Sequence, residues 1–144
     1  MAEKVIIIGG TAAGLSAASK AKRVDPSLEI TVFERSGYIS YGSCGLPYFV
    51  GGIIDQPDDL VSLNVDQMTN QRGVPTFIHH EVTSIDRTAQ TVTVRDLDSG
   101  KSWQQPYDKL VIATGAHAIV PDIPGADAEG VYTLRTVEDG IRLK

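Results

Sequence analysis

The sequence predicts an α/β fold in three layers, in which a central parallel sheet carries an inserted antiparallel β-meander. Three N-terminal segments lead to this prediction: an apolar, β-branched run at Lys4–Ile8, an Ala-rich segment at Ala12–Val24 and a second β-branched run at Glu29–Phe33. Uninterrupted apolar runs are typical of parallel strands that are buried on both faces. A strand, a glycine turn, a helix and a strand in this order form a right-handed βαβ unit.

The elements beyond this unit follow from local signals. The first helix ends at Asp25-Pro26, because the residue before a proline disfavours helical geometry. Asn64 can cap a short helix that reaches Gln71 and is closed by Gly73. Thr133–Lys144 begins a further helical pattern after an extended, proline-containing connector. Five further strands are predicted, of which the second to fourth form the meander and the last returns to the parallel sheet: Thr76–His80, Glu81–Asp86, Thr91–Asp96, Trp103–Tyr107 and Lys109–Ala113.

The composition is that of an ordinary soluble domain and excludes several classes of protein. The chain has 144 residues, a formal net charge of −5, 42% hydrophobic and 22% charged residues, which argues against disorder. Its single cysteine, Cys44, excludes an internal disulfide framework and a multi-cysteine zinc site. The run Val5–Ile8 is too short for a signal peptide or a membrane span. We therefore expect a cytoplasmic protein without a nucleic-acid, membrane or metal partner.

A glycine-rich turn, Gly9 to Gly14 (GGTAAG), lies between the first strand and the first helix. Gly9 permits a tight turn and Gly14 lets the helix pack closely on the strand, as in a dinucleotide-binding fingerprint. Thr11 departs from that fingerprint, since a glycine is usual there. Glu34 follows 20 residues after Gly14 and can accept both hydroxyls of an adenosine ribose. The alternative is a turn that only connects strand to helix.

Cys44 lies in the segment Ser40–Tyr48 (SYGSCGLPY). Ser43 can cap a helix whose first turn tolerates Pro47, and the positive end of that helix would favour the Cys44 thiolate. Phe49 stands five residues on, which excludes a Cys-x4-Cys dithiol centre. Cys44 can instead form a mixed disulfide with a small thiol, or a sulfenic acid. A buried structural cysteine is the alternative.

A third motif, Tyr107–Ala116 (YDKLVIATGA), is a buried strand that ends in Ala-Thr-Gly at the carboxyl edge of the sheet, where open α/β folds bind ligands. The glycine turn with Glu34, the cysteine in a Cys-Gly-Leu-Pro-Tyr context and the Ala-Thr-Gly strand occur in this order over nearly the whole chain. Together they resemble the single-cysteine branch of the FAD-dependent pyridine nucleotide–disulfide oxidoreductases. That branch includes coenzyme A-disulfide reductases, NADH oxidases, NADH peroxidases and polysulfide reductases.

The resemblance implies a Rossmann-like FAD-binding fold, with FAD as the cofactor and NAD(P)H as the electron donor. Electrons would pass from NAD(P)H to the flavin and then to Cys44, the implied catalytic residue. The implied FAD-binding residues are the glycine turn, the end of the second strand, the start of the meander, the Thr-Gly turn and one arginine near the C-terminus: Gly9, Gly10, Thr11, Ala12, Ala13, Gly14, Glu34, Arg35, Val82, Thr114, Gly115 and Arg135.

The resemblance also favours coenzyme A disulfide or a related sulfur compound as the electron acceptor. The positions that approach coenzyme A in coenzyme A-disulfide reductases correspond to Ser16, Lys20, Arg23, Ser40, Ser43 and Arg72. Lys20 and Arg23 are three residues apart on the predicted helix and share a face, which suits a phosphate-bearing thiol. We therefore expect coenzyme A disulfide, or a related persulfide or polysulfide, as the substrate. A solvated helix face is the alternative.

Two further hypotheses stay open. An NADH oxidase or peroxidase of the same branch would reduce O2 or peroxide through a Cys44 sulfenic acid, although no histidine near Cys44 supplies a base. A non-catalytic dinucleotide-binding module, or an inert fragment, would leave Cys44 unused. Family members are much longer, so we expect residues 1–115 to be the first segment of an FAD-binding domain and residues 116–144 a connector towards an absent NAD(P)H-binding domain. The fragment alone should be inactive, and the full-length enzyme a homodimer.

Overall fold

The computed structural model describes residues 2–144, which form two compact units. The first unit contains the residues up to Ser40 together with Leu63–Thr114, and the second contains Tyr41–Ser62 with Gly115–Lys144. The strands, in chain order, are β1 (Lys4–Ile8), β2 (Glu29–Phe33), β3 (Thr76–Phe77), β4 (His80–Asp86), β5 (Thr91–Asp96), β6 (Ser102–Pro106) and β7 (Lys109–Ile112). The helices are α1 (Ala12–Val24), α2 (Leu46–Val50) and α3 (Val137–Leu143).

A four-stranded parallel sheet is the centre of the first unit. Its strand order is β3-β2-β1-β7, and β4, β5 and β6 form a separate antiparallel sheet. In the parallel sheet Ile8 at the end of β1 pairs with Phe33 of β2 on one side and with Ile112 of β7 on the other. The carboxyl ends of these three strands therefore meet at one edge, as the sequence predicts.

Both faces of β1 are covered, which explains its uninterrupted apolar sequence. Val5 and Ile7 belong to a core cluster with Ala18 of α1. Ile6 and Ile8 belong to a second cluster, which includes Val94 of the meander. The layers of the first unit are therefore α1, the parallel sheet and the meander, and the predicted three-layer fold is confirmed.

Trp103 of β6 packs against the rings of Phe33 and His80. Its ring meets that of Phe33 edge-on, with centroids 6.4 Å apart, and its centroid lies 5.6 Å from that of His80. His79, the residue before, instead places Nδ1 3.0 Å from a carboxylate oxygen of Asp98. The two neighbouring histidines therefore have different surroundings.

The predicted strand Thr76–His80 is wrong in its second half. The parallel strand β3 ends at Phe77, and His80 begins the meander. His79 adopts a φ of +56°, which is rare for a residue other than glycine and breaks the extended chain. The backbone N–H of His79 donates to Ser36 O, and that of His80 donates to Glu34 O. The other predicted strand ends differ from the structure by at most one residue, within the ordinary variation of strand ends.

The predicted cap at Asn64 is confirmed. Asn64 Oδ1 accepts a hydrogen bond from Gln67 N at 2.9 Å, and Gln67 Oε1 accepts one from Asn64 N at 3.0 Å. This reciprocal pair is a capping box. The helical segment continues as a π-turn, Gln67–Gln71, and Gly73 follows with a φ of +64°. Glycine suits that left-handed position because it has no Cβ.

The second unit is built around α2 and α3. A Cβ added to Gly140 of α3 would lie 3.1 Å from the Phe49 ring of α2, so these helices approach closely. Helix α3 begins after Thr136, whose side chain accepts a hydrogen bond from Asp139 N, while Asp139 Oδ2 accepts one from Thr136 N. No helix within residues 2–144 has the length and apolar character needed to cross a membrane.

Candidate functional site

The turn between β1 and α1 is held so closely that only glycine fits at two positions. Gly9 has a φ of +109°, and a Cβ there would lie 2.2 Å from Ala113 O, just beyond β7. A Cβ on Gly14 would lie 1.9 Å from Gly9 O. Real Cβ atoms essentially never come within 3.0 Å of such neighbours. The turn therefore lies against both α1 and the Ala113-Thr114 segment, as the first and third sequence motifs predict.

Glu34 joins the end of β2 to this turn. Its side chain is buried, with a relative exposure of 9%. One carboxylate oxygen accepts a hydrogen bond from Gly10 N at 2.7 Å, and the other accepts one from Ser36 N at 2.8 Å. Each carboxylate oxygen can accept a further hydrogen bond. Glu34 thus fixes the turn and keeps the capacity to accept ribose hydroxyls.

The N-terminus of α1 is open to an anion. Thr11 is the N-cap residue, but its side chain makes no capping hydrogen bond, and the first turn holds no acidic residue. The amides of Ala12, Ala13 and Gly14 have no acceptor within the helix. Unpaired amides at a helix N-terminus, beside a glycine turn and a carboxylate that can accept further hydrogen bonds, fit the pyrophosphate and ribose of a dinucleotide.

A pocket of about 440 Å³ opens along one face of α1, within the first unit. Its helix residues recur at intervals of three and four, so they form one stripe. The opposite face of α1 packs on the parallel sheet through Ala18, which is buried. The pocket is lined by Thr11, Ala12, Leu15, Ser16, Ser19, Lys20, Arg23, Ser40, Leu63 and Arg72.

Three cations of this pocket have no carboxylate partner among residues 2–144: Lys20, Arg23 and Arg72. Arg72 instead donates from Nη1 to Ser19 Oγ at 2.9 Å. Lys22, the remaining cation of α1, does not line the pocket, since its Nζ donates to Pro26 O and Leu28 O beyond the helix end. Three uncompensated positive charges in a chain of net charge −5 indicate an anion-binding surface.

Cys44 lies in the second unit, in a 3₁₀ turn, Ser43–Gly45, that leads into α2. The predicted cap by Ser43 is wrong. The N-cap residue of α2 is Gly45, and no side chain caps either the turn or the helix. Helix α2 starts later than predicted because the 3₁₀ turn comes between. Cys44 is exposed and is the free cysteine of the chain, so it is not the buried structural cysteine of the alternative.

Arg135 is held within the second unit by its backbone and its side chain. Its N–H donates to Asp139 Oδ2 at 3.0 Å, and its Nε donates to Ala116 O at 3.4 Å. Burial raises the pKa of Asp139, but hydrogen bonds from Thr136, Arg135 and Arg142 outweigh burial and hold that pKa below its ordinary value of 3.8. Asp139 is therefore a structural carboxylate that organises the start of α3.

The sequence matches the family model described as pyridine nucleotide-disulphide oxidoreductase over residues 3–144. The chain belongs to the pyridine nucleotide-disulphide oxidoreductase family. Members of this family are flavoproteins that use FAD together with NAD(P)H, and the chain has their Rossmann-type fold. Both expectations from the sequence, the family and the cofactors, are confirmed.

Individual relatives narrow the comparison within the pyridine nucleotide-disulphide oxidoreductases. A coenzyme A disulfide reductase of Staphylococcus haemolyticus is 35% identical over 136 residues, which cover 94% of this chain and 30% of that protein. An NAD(P)H coenzyme A polysulfide/persulfide reductase of Pyrococcus horikoshii is 38% identical over 144 residues, which cover 100% of this chain and 31% of that protein. The structure of reduced Bacillus anthracis CoADR-RHD has a TM-score of 0.95 at 34% identity, over 99% of this chain and 26% of that one. The chain thus spans about a third of the curated relatives' length.

The structure places the sequence-predicted residues in two groups. Most of the FAD-binding candidates lie in the first unit, including Arg35 after β2 and Val82, which pairs with Val94 in the meander. Gly115 and Arg135 lie in the second unit. Five of the substrate candidates line the pocket, and Ser43 belongs to the second unit: the five are Ser16, Lys20, Ser40, Arg23 and Arg72.

Sequence reasoning missed three residues of the pocket, namely Leu15, Ser19 and Leu63. Leu15 and Ser19 had a signal, because they share the helix stripe that contains Ser16 and Arg23. Leu63 had none, since it follows in a loop far along the chain.

Proposed function

We propose that this chain is the FAD-binding and redox-cysteine part of an NAD(P)H-dependent reductase whose substrate is coenzyme A disulfide or a related persulfide or polysulfide. Residues 1–115 are its first FAD-binding segment, and residues 116–144 connect to an NAD(P)H-binding domain. The observation that carries this proposal is the pocket on α1 with three cations and no carboxylate partner among residues 2–144. Phosphate-bearing thiols are anions of the kind that such a pocket attracts.

The first unit supplies the binding groups for the cofactor. FAD, when bound, accepts two electrons from NAD(P)H and delivers them to the sulfur centre. The amides at the start of α1 bind the pyrophosphate, and the glycine turn allows its close approach. Glu34 accepts the ribose hydroxyls while its bond to Gly10 N, at 2.7 Å, keeps the turn in place. A carboxylate at this position also repels a 2′-phosphate on the ribose.

The pocket supplies the binding groups for coenzyme A. Lys20, Arg23 and Arg72 bind its phosphates, and the hydroxyls of Ser16 and Ser40 offer further hydrogen bonds. Guanidinium groups bind phosphate through two parallel hydrogen bonds, which adds geometric selectivity to the charge attraction. A neutral disulfide of similar reactivity gains no affinity from these cationic side chains, because it carries no phosphate.

Cys44 supplies the sulfur chemistry. Its side chain is exposed, so an external disulfide can approach it. The Cys44 thiolate attacks one sulfur of the substrate disulfide, an S–S bond forms between Cys44 and one coenzyme A, and the other coenzyme A leaves as its thiolate. The complete enzyme then cleaves this mixed disulfide with the two electrons that NAD(P)H supplies, and the second coenzyme A is released.

The test is the rate at which the reduced chain forms a mixed disulfide at Cys44, followed by mass spectrometry. Coenzyme A disulfide is compared with hydroxyethyl disulfide, which carries no phosphate. We expect coenzyme A disulfide to react faster by roughly 3–10-fold, with the advantage falling as salt is added. Lys20→Gln with Arg23→Gln should remove most of the advantage, and Cys44→Ser should abolish the product.

Lys101→Gln is the matched control for charge. Lys101 is exposed in the turn between β5 and β6 and does not line the pocket, so its substitution should leave the preference for coenzyme A disulfide intact. Equal rates for the two disulfides, with no effect of the pocket substitutions, contradict the proposed substrate. That outcome would favour the hypothesis of an oxidase or peroxidase, for which Cys44 oxidation by peroxide is the corresponding measurement.

A further inference from the structure

A hydrogen bond between Arg72 and Ser19 joins two parts of the pocket that are 53 residues apart in the chain. Arg72 Nη1 donates to Ser19 Oγ at 2.9 Å. Arg72 is exposed, whereas Ser19 is half-buried on α1, in the same helix stripe as Ser16 and Arg23. The bond therefore fixes the end of a long, solvent-exposed side chain against a rigid element.

The backbone at Arg72 is already fixed, so the side chain is the mobile part that Ser19 controls. Arg72 N donates to Gln67 O at 3.1 Å, which closes the π-turn. Met68, within the same turn, is fully buried at 0% exposure. Gly73 ends the segment with a φ of +64°. An arginine whose backbone is fixed still has several rotatable side-chain bonds, and a hydrogen bond at its guanidinium restricts them.

The Ser19 side chain forms its hydrogen bond with a residue outside its own helix. Serine side chains in helices commonly bond back to a carbonyl one turn earlier or point to solvent. Ser19 Oγ instead accepts from Arg72. Because a guanidinium carries five donors in one plane, one bond to Ser19 orients the plane and leaves the other donors for a ligand. Lys20 and Arg23 have no comparable hydrogen-bond anchor in the part of the chain described.

We propose that Ser19 is a positioning residue for recognition of the phosphate-bearing thiol: it holds the Arg72 guanidinium in the orientation that binds phosphate. Ser19 acts through Arg72 and makes no contribution to phosphate binding when Arg72 is removed. This inference rests on the proposed function, since it deepens the way in which the pocket binds coenzyme A.

The test is a double-mutant cycle on coenzyme A binding by the 144-residue chain, measured by calorimetry. We expect Ser19→Ala to weaken binding by about five-fold, the ordinary worth of one hydrogen bond, and Ser19→Thr to restore it because threonine keeps the hydroxyl. Arg72→Gln should weaken binding more than Ser19→Ala does. In the Arg72→Gln background, Ser19→Ala should change the dissociation constant by less than about two-fold. Alanine is a better helix former than serine, so Ser19→Ala is expected to fold.

A ligand-free measurement completes the test and separates the two proposals. The Arg72 Nη resonances should show slowed rotation in the unsubstituted chain and in Ser19→Thr, and fast rotation in Ser19→Ala. Failure of the unsubstituted chain to bind coenzyme A overturns the proposed substrate and, with it, the recognition role of Ser19. Normal binding that Ser19→Ala leaves unchanged, or an equal loss with and without Arg72, overturns the role of Ser19 alone.

Discussion

Gly14→Ala tests the close approach of α1 to the glycine turn. The added Cβ would lie 1.9 Å from Gly9 O, 3.0 Å from Gly9 C and 3.2 Å from Ile7 Cγ2, where ordinary contacts begin at 3.4 Å. Since the two nearest atoms belong to the backbone, no side chain can turn aside. Helix α1 must then move away from β1 by more than an ångström, which loosens the packing of Leu15 and Ala18, buried at 4% and 0% exposure.

The magnitude of the Gly14→Ala effect follows from two opposing contributions to the free energy of unfolding. Alanine in a helix interior is favoured over glycine by about 1 kcal/mol. Overpacking against backbone costs about 3 kcal/mol, at the upper end of the usual range. The expected net loss is about 2 kcal/mol, a large fraction of the 5–15 kcal/mol that is typical of a domain.

Urea unfolding followed by the fluorescence of Trp103 provides the assay, since Trp103 is the single tryptophan and lies in the same unit as Gly14. Gly42→Ala is the control, because Gly42 has a φ of −82° and its Cβ would meet its nearest neighbours at 3.9 and 4.0 Å. That variant should change the unfolding free energy by less than about 0.5 kcal/mol. If Gly14→Ala unfolds at the same urea concentration as the unsubstituted chain, then the steric reasoning at the turn is wrong.

Two further predictions concern carboxylates. Glu34→Gln places an amide N–H₂ against the N–H of Gly10 or Ser36. This substitution should lower the free energy of unfolding by about 1–3 kcal/mol and reduce the stabilisation by added FAD in thermal melts. The control Glu29→Gln, at an exposed carboxylate, should do neither. The pKa of Asp139 is lowered in the folded state. Its contribution to the free energy of unfolding is therefore complete above the unfolded pKa and is lost as the pH falls through the lower folded pKa. The urea concentration at the unfolding midpoint should decrease below about pH 4, and Asp139→Asn should make that decrease smaller.

The N-terminal half of the first unit could be predicted from the sequence because its signals are local and agree with one another. The bounds of β1, α1 and β2 match the prediction residue for residue. The first apolar run is closed by glycine and the helix by Asp25-Pro26, and the helix pattern has a period distinct from that of the strands. Consistent signals of this kind leave few alternative structures for the segment.

Two errors arose where the backbone departs from its local preference. Nothing in the composition of Thr76–His80 signals the positive φ of His79, which comes from the crossing of the chain into the meander. Ser43 has the chemistry of a cap, but a cap also needs the helix to start at the next residue. A 3₁₀ turn comes first, and α2 begins at Leu46. A short polar segment with glycine is compatible with a helix that starts directly after Ser43 and with a 3₁₀ turn that precedes the helix.

The two faces of α1 explain why the site was only partly predictable, and why its stability and its binding can be changed separately. Gly14 and Ala18 face the sheet, and the close contacts of Gly14 are with residues of β1 and the adjoining turn. Ser16, Ser19 and Arg23 line the pocket instead. The helix period reveals such a division from sequence, but it cannot show which distant segment completes the pocket. Arg72 reaches Ser19 only because the π-turn brings it there, so its part in the site depends on the folded chain.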